Sequence, residues 1–439
     1  MVAPFALTNA NIVVGDKAAT VLPNMTVLVD SAGLIEEVAA STEAKVPSGH
    51  RAFDLTGKFL LPGLINAHAH LFADGKPLPP LLTSESMEKV VAKFMHGPIG
   101  QRVVKARTKR NVITQLNSGV TTLRSLGDVR YEAVEVRDQI ERGEFLGPRM
   151  LTSGPLMAVS GGHGAPSIAL VGDSPWDHRR NVRLNLRKGV NAIKIAVTGG
   201  VTDARAIGEA GRPQMSEEEM AAICDEAHQA GVLVAAHAQS PEGILAALRA
   251  GVDTIEHGSG MTAEIVDLFH HNPKSLYGSS ALIPTLQACL PLVKLDQTIT
   301  GINNIVKANG EMIFESMLQG ISDALEHGIT IGMGTDSALT YVTHYNTWRE
   351  MDYVVRYGGL SKAQAINAAT QSNAALLGLQ KITGSIEAGL AADLVVLGAN
   401  PLDDLRAFAD PELVIAGGAV IENPTVSRFD EIDAHLDSF

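Results

Sequence analysis

Two histidines two residues apart, His68 and His70, close the run Leu61-Pro-Gly-Leu-Ile-Asn-Ala-His-Ala-His70. The run is apolar and broken by Pro62-Gly63, as expected near the start of a strand buried on both faces. Alternate residues of a strand face the same way, so both imidazoles point to one side, where they can chelate one cation. A bare His-x-His equally suits hydrogen-bonded or surface histidines, and the pair alone leaves ligation open. Further along, Lys194, His237, His257 and Asp336 fall at or near the ends of other apolar runs. Singly, each has a plain reading: a structural histidine, or an aspartate capping a helix in Gly-Thr-Asp. Lys194 sits in Ile193-Lys-Ile-Ala-Val197, where apolar neighbours on both sides disfavour a lysine snorkelling to the surface. Six such residues in this order point to one shared site, because α/β barrels build active sites from the ends of several strands.

The elements needed to position them are legible as a rhythm. Candidate strands lie at 60–67, 121–126, 149–153, 192–197, 233–237, 254–257, 281–286 and 330–335, with helical stretches between, which suits a parallel sheet closed into a (β/α)8 TIM barrel. Several strands follow Gly-Val or Gly-Ile (Gly119, Gly189, Gly231, Gly251, Gly328), as when a glycine ends the preceding helix. Ser216 followed by Glu219 is a capping box opening a helix. The connections 72–100 and 199–215 are long, and loops of that length at a barrel's carboxyl face tend to be lids or substrate walls. Short strand-like runs at 7–14, 25–29, 34–38 and 52–55 predict a small antiparallel unit, and 392–397 and 413–421 repeat the texture. The expected fold class is therefore α/β: a barrel over 60–380, with one discontinuous β-sandwich made from 1–59 and 381–439.

The chain has 439 residues, 45% of them hydrophobic and 19% charged, which supports a large core and argues against extensive disorder. A formal net charge of -13 disfavours nucleic acid and anionic membranes as partners, since phosphates call for clustered Lys and Arg. Cys224 and Cys289 stand alone and are expected as buried thiols. Neither a basic leader nor a membrane-length apolar window is present, so a soluble, cytoplasmic protein is expected.

Beyond composition, the chain resembles the amidohydrolase superfamily, binuclear type, over nearly its whole length. The resemblance lies in Pro62-Gly-Leu-Ile-Asn-Ala-His-Ala-His70, Ile193-Lys-Ile-Ala-Val-Thr-Gly-Gly200, Ile255-Glu-His-Gly258 and Gly334-Thr-Asp336. It implies two divalent metal ions, zinc first among them, with His68, His70 and Asp336 on one and His237 and His257 on the other. It also implies that Lys194 bridges both as a carbamate formed from carbon dioxide, since a cationic lysine is a poor ligand. Attack by a metal-bridging hydroxide on an amide would follow, with Asp336 as general base and then acid.

The Gly199-Gly200 ending, the Ser160-Gly-Gly-His-Gly164 turn and the Ser-Glu-Glu-Glu helix are similar to the subgroup of prolidase-like dipeptidases and ochratoxin-hydrolysing amidases. That likeness implies a homo-oligomer and a small amide substrate, such as a dipeptide or an N-acyl amino acid, with His163 beside the metals to polarise or position the carbonyl. Arg124, Arg212 and His344 are candidates for reading the substrate carboxylate, and Arg124 suits a structural ion pair equally well. Asn66 stands where many superfamily members carry Asp, and Gln239 where a second histidine is frequent. Two other readings compete: a mononuclear, imidazolonepropionase-like cyclic amide hydrolase, which generally lacks the lysine, and an inactive barrel acting as a scaffold.

Overall fold

The computed structural model describes residues 2–77, 85–165 and 167–439. Residues 78–84, part of the long connection expected at 72–100, lie outside them; the remainder of that connection holds the helix Glu85–His96 and the start of the helix Pro98–Asn117. Five strands open the chain: β1 Phe5–Val13, β2 Val21–Val29, β3 Ile35–Ala40, β4 Arg51–Asp54 and β5 Phe59–Pro62. There follow β6 Leu64–Ala69, β7 Val120–Ser125, β8 Arg149–Thr152, β9 Leu156–Ala158, β10 Ala169–Val171, β11 Ala192–Ala196, β12 Leu233–Ala238, β13 Thr254–His257 and β14 Ala281–Ile283. The chain ends with β15 Leu394–Leu397, β16 Leu413–Ala416 and β17 Ala419–Glu422.

Parallel pairing joins β6, β7 and β8, and separately β11, β12, β13 and β14. Backbone hydrogen bonds link these groups. Asn191 donates to Thr152 O across the β8/β11 gap, Gly332 to Leu282 O, and Ala67 to Met333 O, so the bonding path returns to β6. The eighth expected strand, 330–335, is present only as extended backbone with an isolated bridge at Ile331. Close backbone approach explains the irregularity: a Cβ on Gly334 would lie 2.5 Å from that of His68, so this segment slides against β6 where side chains would keep ladder partners apart. The seventh is also shorter than expected, because Leu286–Ala288 forms a 3-10 turn. Helices between strands end as read: Gly251 and Gly328 are left-handed C-caps at φ 108° and 68°. Ser216 and Glu219 form the capping box.

The two chain ends share one sheet, ordered β17-β16-β15-β5-β1-β2-β3 with β4 also on β1. It is mixed rather than antiparallel, since β4 and β5 both run parallel to β1. The run expected as one strand at 60–67 divides at Gly63. Phe59–Pro62 pairs with Leu394–Leu397 of the terminal sheet, while Leu64–Ala69 enters the parallel ring. Gly63 marks the crossing because any Cβ there would collide with Thr121, at 2.2 Å from its Oγ1. The terminal sheet has its own apolar core, including Leu7, Ile12, Val27, Leu60, Leu394 and Ile415, apart from the larger core around the ring. Both cysteines are buried and free. Among the described residues no helix is long and apolar enough to cross a membrane.

Candidate active site

The end of β6 places His68 and His70 on one side, ring centroids 5.5 Å apart. Both rings meet Asp336: Oδ1 lies 3.2 Å from His68 Nε2 and 3.1 Å from His70 Nε2. His257 joins them, its centroid 5.4 Å from that of His68, and donor atoms of His68, His257 and Asp336 all lie within 4.8 Å of one another. His237 follows at 4.6 Å from His257, and His163 stacks on His237 at 4.2 Å. Lys194 projects from β11; its charge is felt by His70, His237 and His257. All six expected ligand residues are buried.

Strand geometry alone does not deliver this cluster. Thr254 and Glu256 share one face of β13, so alternation would send His257 to the other. His257 instead has φ 71° and leaves the strand conformation, and Asp336 likewise sits at φ 56°. Non-glycine residues rarely hold such backbones, and they collect where a site over-determines them.

The spare ring nitrogens are committed. His70 Nδ1 lies 3.2 Å from Gly127 O, His257 Nδ1 2.7 Å from Thr285 Oγ1, and His237 Nε2 2.9 Å from Gly199 O. Such partners fix which nitrogen faces inward. Burial lowers the proton affinity of His70, His237 and His257, leaving neutral imidazoles suited to ligation. Burial alone would raise Asp336, but its histidine neighbours outweigh that and hold the carboxyl well below its usual range. Burial also lowers Lys194 to about 8, against the pull of Glu256 and Asp336. Its Nζ is buried without a hydrogen-bond partner. Neutral imidazoles and an ionised carboxylate are a donor set that suits a divalent metal ion, and the orphaned Lys194 amine lies beside it.

Reading the sequence missed Glu256, although it sits inside the quoted Ile255-Glu-His-Gly258. Its Oε2 lies 2.7 Å from His68 Nδ1, while Oε1 accepts from Arg124 at 2.9 Å. Burial opposes ionisation of Glu256; Arg124 and His68 overcome it and keep the carboxyl low. Arg124 therefore has to be corrected as a reader of substrate carboxylate. It is fully buried beneath the histidines, donating also to Ala67 O and Thr254 Oγ1. Arg212 lies on the outside of the 199–215 connection, paired with Glu209 at 3.1 Å and 65% exposed.

His344 is also corrected. Nε2 donates to Ala73 O at 2.8 Å, Nδ1 accepts from Gln115 at 3.2 Å, and neither nitrogen is left for a ligand. Gln115 in turn accepts from Asn66, whose amide also donates to Thr335 Oγ1 while its oxygen accepts from the His68 and Thr335 amides. An aspartate could not make the two donations, which accounts for Asn66. Burial lowers His344 to about 4 from an ordinary 6.5. As pH falls below 6.5 the unfolded chain takes this proton and the folded one refuses it until about pH 4. Stability present above 6.5 is therefore lost across that window, about 2 kcal/mol of it between pH 7 and pH 5. His344→Gln, able to keep both hydrogen bonds, is expected to remove that share of the acid loss. Denaturant unfolding at the two pH values tests this, and an unchanged difference would contradict it.

The sequence model described as the amidohydrolase family matches residues 59–421. Ochratoxinase from Aspergillus niger is 26% identical over 400 residues, covering 85% of this chain and 77% of that protein. A Bifidobacterium longum structure, provisionally described as a prolidase, superposes with a TM-score of 0.88 at 52% identity, covering 100% of this chain and 99% of its own. A Xaa-Pro dipeptidase with methionine bound in its active site gives 0.80 at 26%, covering 95% and 100%.

Proposed function

Because the chain belongs to the amidohydrolase family and is a hydrolase of amide bonds, we propose that it is a binuclear enzyme cleaving a small dipeptide or N-acyl amino acid, of the prolidase or ochratoxin type. The observation that carries the binuclear reading is Lys194, whose buried amine has no partner among the histidines and Asp336. His68, His70 and Asp336 would hold one ion and His237 and His257 the other, with the Lys194 carbamate between them. When bound, the ions supply Lewis-acid chemistry, acidifying a water and polarising the scissile carbonyl. The ring of parallel strands is then a (β/α)8 barrel over about 60–380, and the two chain ends form its accessory domain, one mixed sheet in place of the expected sandwich.

The chain's own residues divide the remaining work. Asp336 takes the proton of the attacking water on its carboxylate and, being held as a weak base, returns it readily to the departing amine. His163, stacked on His237 and about a quarter exposed, faces the substrate carbonyl and orients it. Glu256 and Arg124 fix the His68 ring from below.

The test is hydrolysis of a panel of Xaa-Pro and other dipeptides and N-acyl amino acids, with metal per chain measured by inductively coupled plasma mass spectrometry. Cleavage with two metals per chain is expected. A metal-replete protein that cleaves none of the panel and instead opens an imidazolone ring would sink the reading.

A further inference from the structure

The connection 199–215 is held at several points, and what it carries is a partner for His163. Asn309, 1% exposed on the helix Asn304–His327, accepts from the Gly208 and Ala210 amides at 3.1 and 3.2 Å and donates to Ala206 O at 3.0 Å. The Gly199 amide bonds to Arg212 O and that of Gln214 to Val197 O, closing the base of the connection. From this braced segment, Asp203 Oδ2 reaches His163 Nδ1 at 2.8 Å, and Gln214 Oε1 accepts from the His163 amide at 2.9 Å. Gly200 supplies the floor: a Cβ there would lie 2.2 Å from His163 Nδ1, so the ring occupies space that only glycine leaves open.

We propose that Asp203 is a positioning residue for His163, and that the Asn309-braced connection 199–215 is a preformed wall of the active site holding that pair in place. An ionised carboxylate can only accept, so Nδ1 carries the hydrogen and Nε2 is the atom left for the site. Stacking on His237, 24° from parallel, sets the plane of the ring, and Asp203 sets its rotation within that plane. The consequence for substrate rests on the amidase reading above; the tautomer does not.

The experiment compares wild type with Asp203→Ala, Asp203→Asn and Asn309→Ala. The His163 ring is followed by nitrogen-15 NMR at a pH where it is neutral, its signals identified by their loss in His163→Gln. Metal content, kcat and KM on a cleaved amide are measured alongside. Wild type is expected to carry hydrogen on Nδ1. Asp203→Ala should show mixed tautomers and a kcat/KM lower by about 10- to 100-fold at unchanged metal content. Asp203→Asn, whose side-chain oxygen still accepts, should recover most of both, and Asn309→Ala should show a weaker form of the alanine defect. Hydrogen on Nε2 in wild type, an unmoved tautomer in Asp203→Ala, or equal defects in the alanine and asparagine variants would each overturn the proposal. A wild type inactive on every amide would count against the amidase reading alone, because the tautomer is read without turnover.

Discussion

Lys194→Ala is expected to leave the centre with at most one metal ion per chain and to lower kcat/KM on the order of 10³-fold or more. Two-ion chemistry supplies several kcal/mol of charge stabilisation, at about 1.4 kcal/mol per tenfold in rate. Without a bridging anionic oxygen the remaining donors are neutral imidazoles and Asp336, a set that can retain one ion but not hold two positive centres close together. The fold should tolerate the change, because the lysine amine makes no hydrogen bond whose loss would strand a partner. Metal analysis and circular dichroism on the same preparation separate the possibilities. One ion per chain in both proteins, with turnover intact, would instead favour the mononuclear ring-opening hydrolase.

Asp336→Asn acts differently. The asparagine keeps an oxygen in the place where Oδ1 meets His68 and His70, so metal content should fall little. What disappears is the carrier of the proton, and general acid–base groups contribute about 10²- to 10⁴-fold. The loss should appear in kcat with KM little changed, since substrate contacts are untouched. Turnover near that of wild type would remove Asp336 from proton transfer and leave it as a ligand only.

Where sequence reading worked, the signal was local. His68 and His70 could be read because a two-residue period states their common face, and the helix from Glu217 because Ser216 and Glu219 announce its start. Lys194 stood out as a charge in an apolar strand. What escaped depends on contacts between distant segments. Arg124 looked available to substrate because nothing near it in the chain reveals Glu256 across the ring. His344 looked free because its partners, Ala73 and Gln115, lie far back in the sequence. Asn66 and Gln115 form a buried amide network with no periodic signature. The irregular segment at 330–335 reads as a strand by composition, yet Gly334 against His68 decides its path.

The pairing of β5 with β15 bears on how the chain is made. Leu60 and Leu61 lie opposite Val396 and Val395, which leave the ribosome only after the whole parallel ring has been synthesised. Until then the β5 edge that later meets β15 stays open and apolar, directly joined through Gly63 to the strand that carries His68 and His70. The strand that carries the histidine pair is thus joined to an unfinished sheet until β15 has been made, and non-local pairing of this kind is slow and exposed to aggregation. The β5 edge therefore gains its β15 partner only after the strands of the ring have all been made.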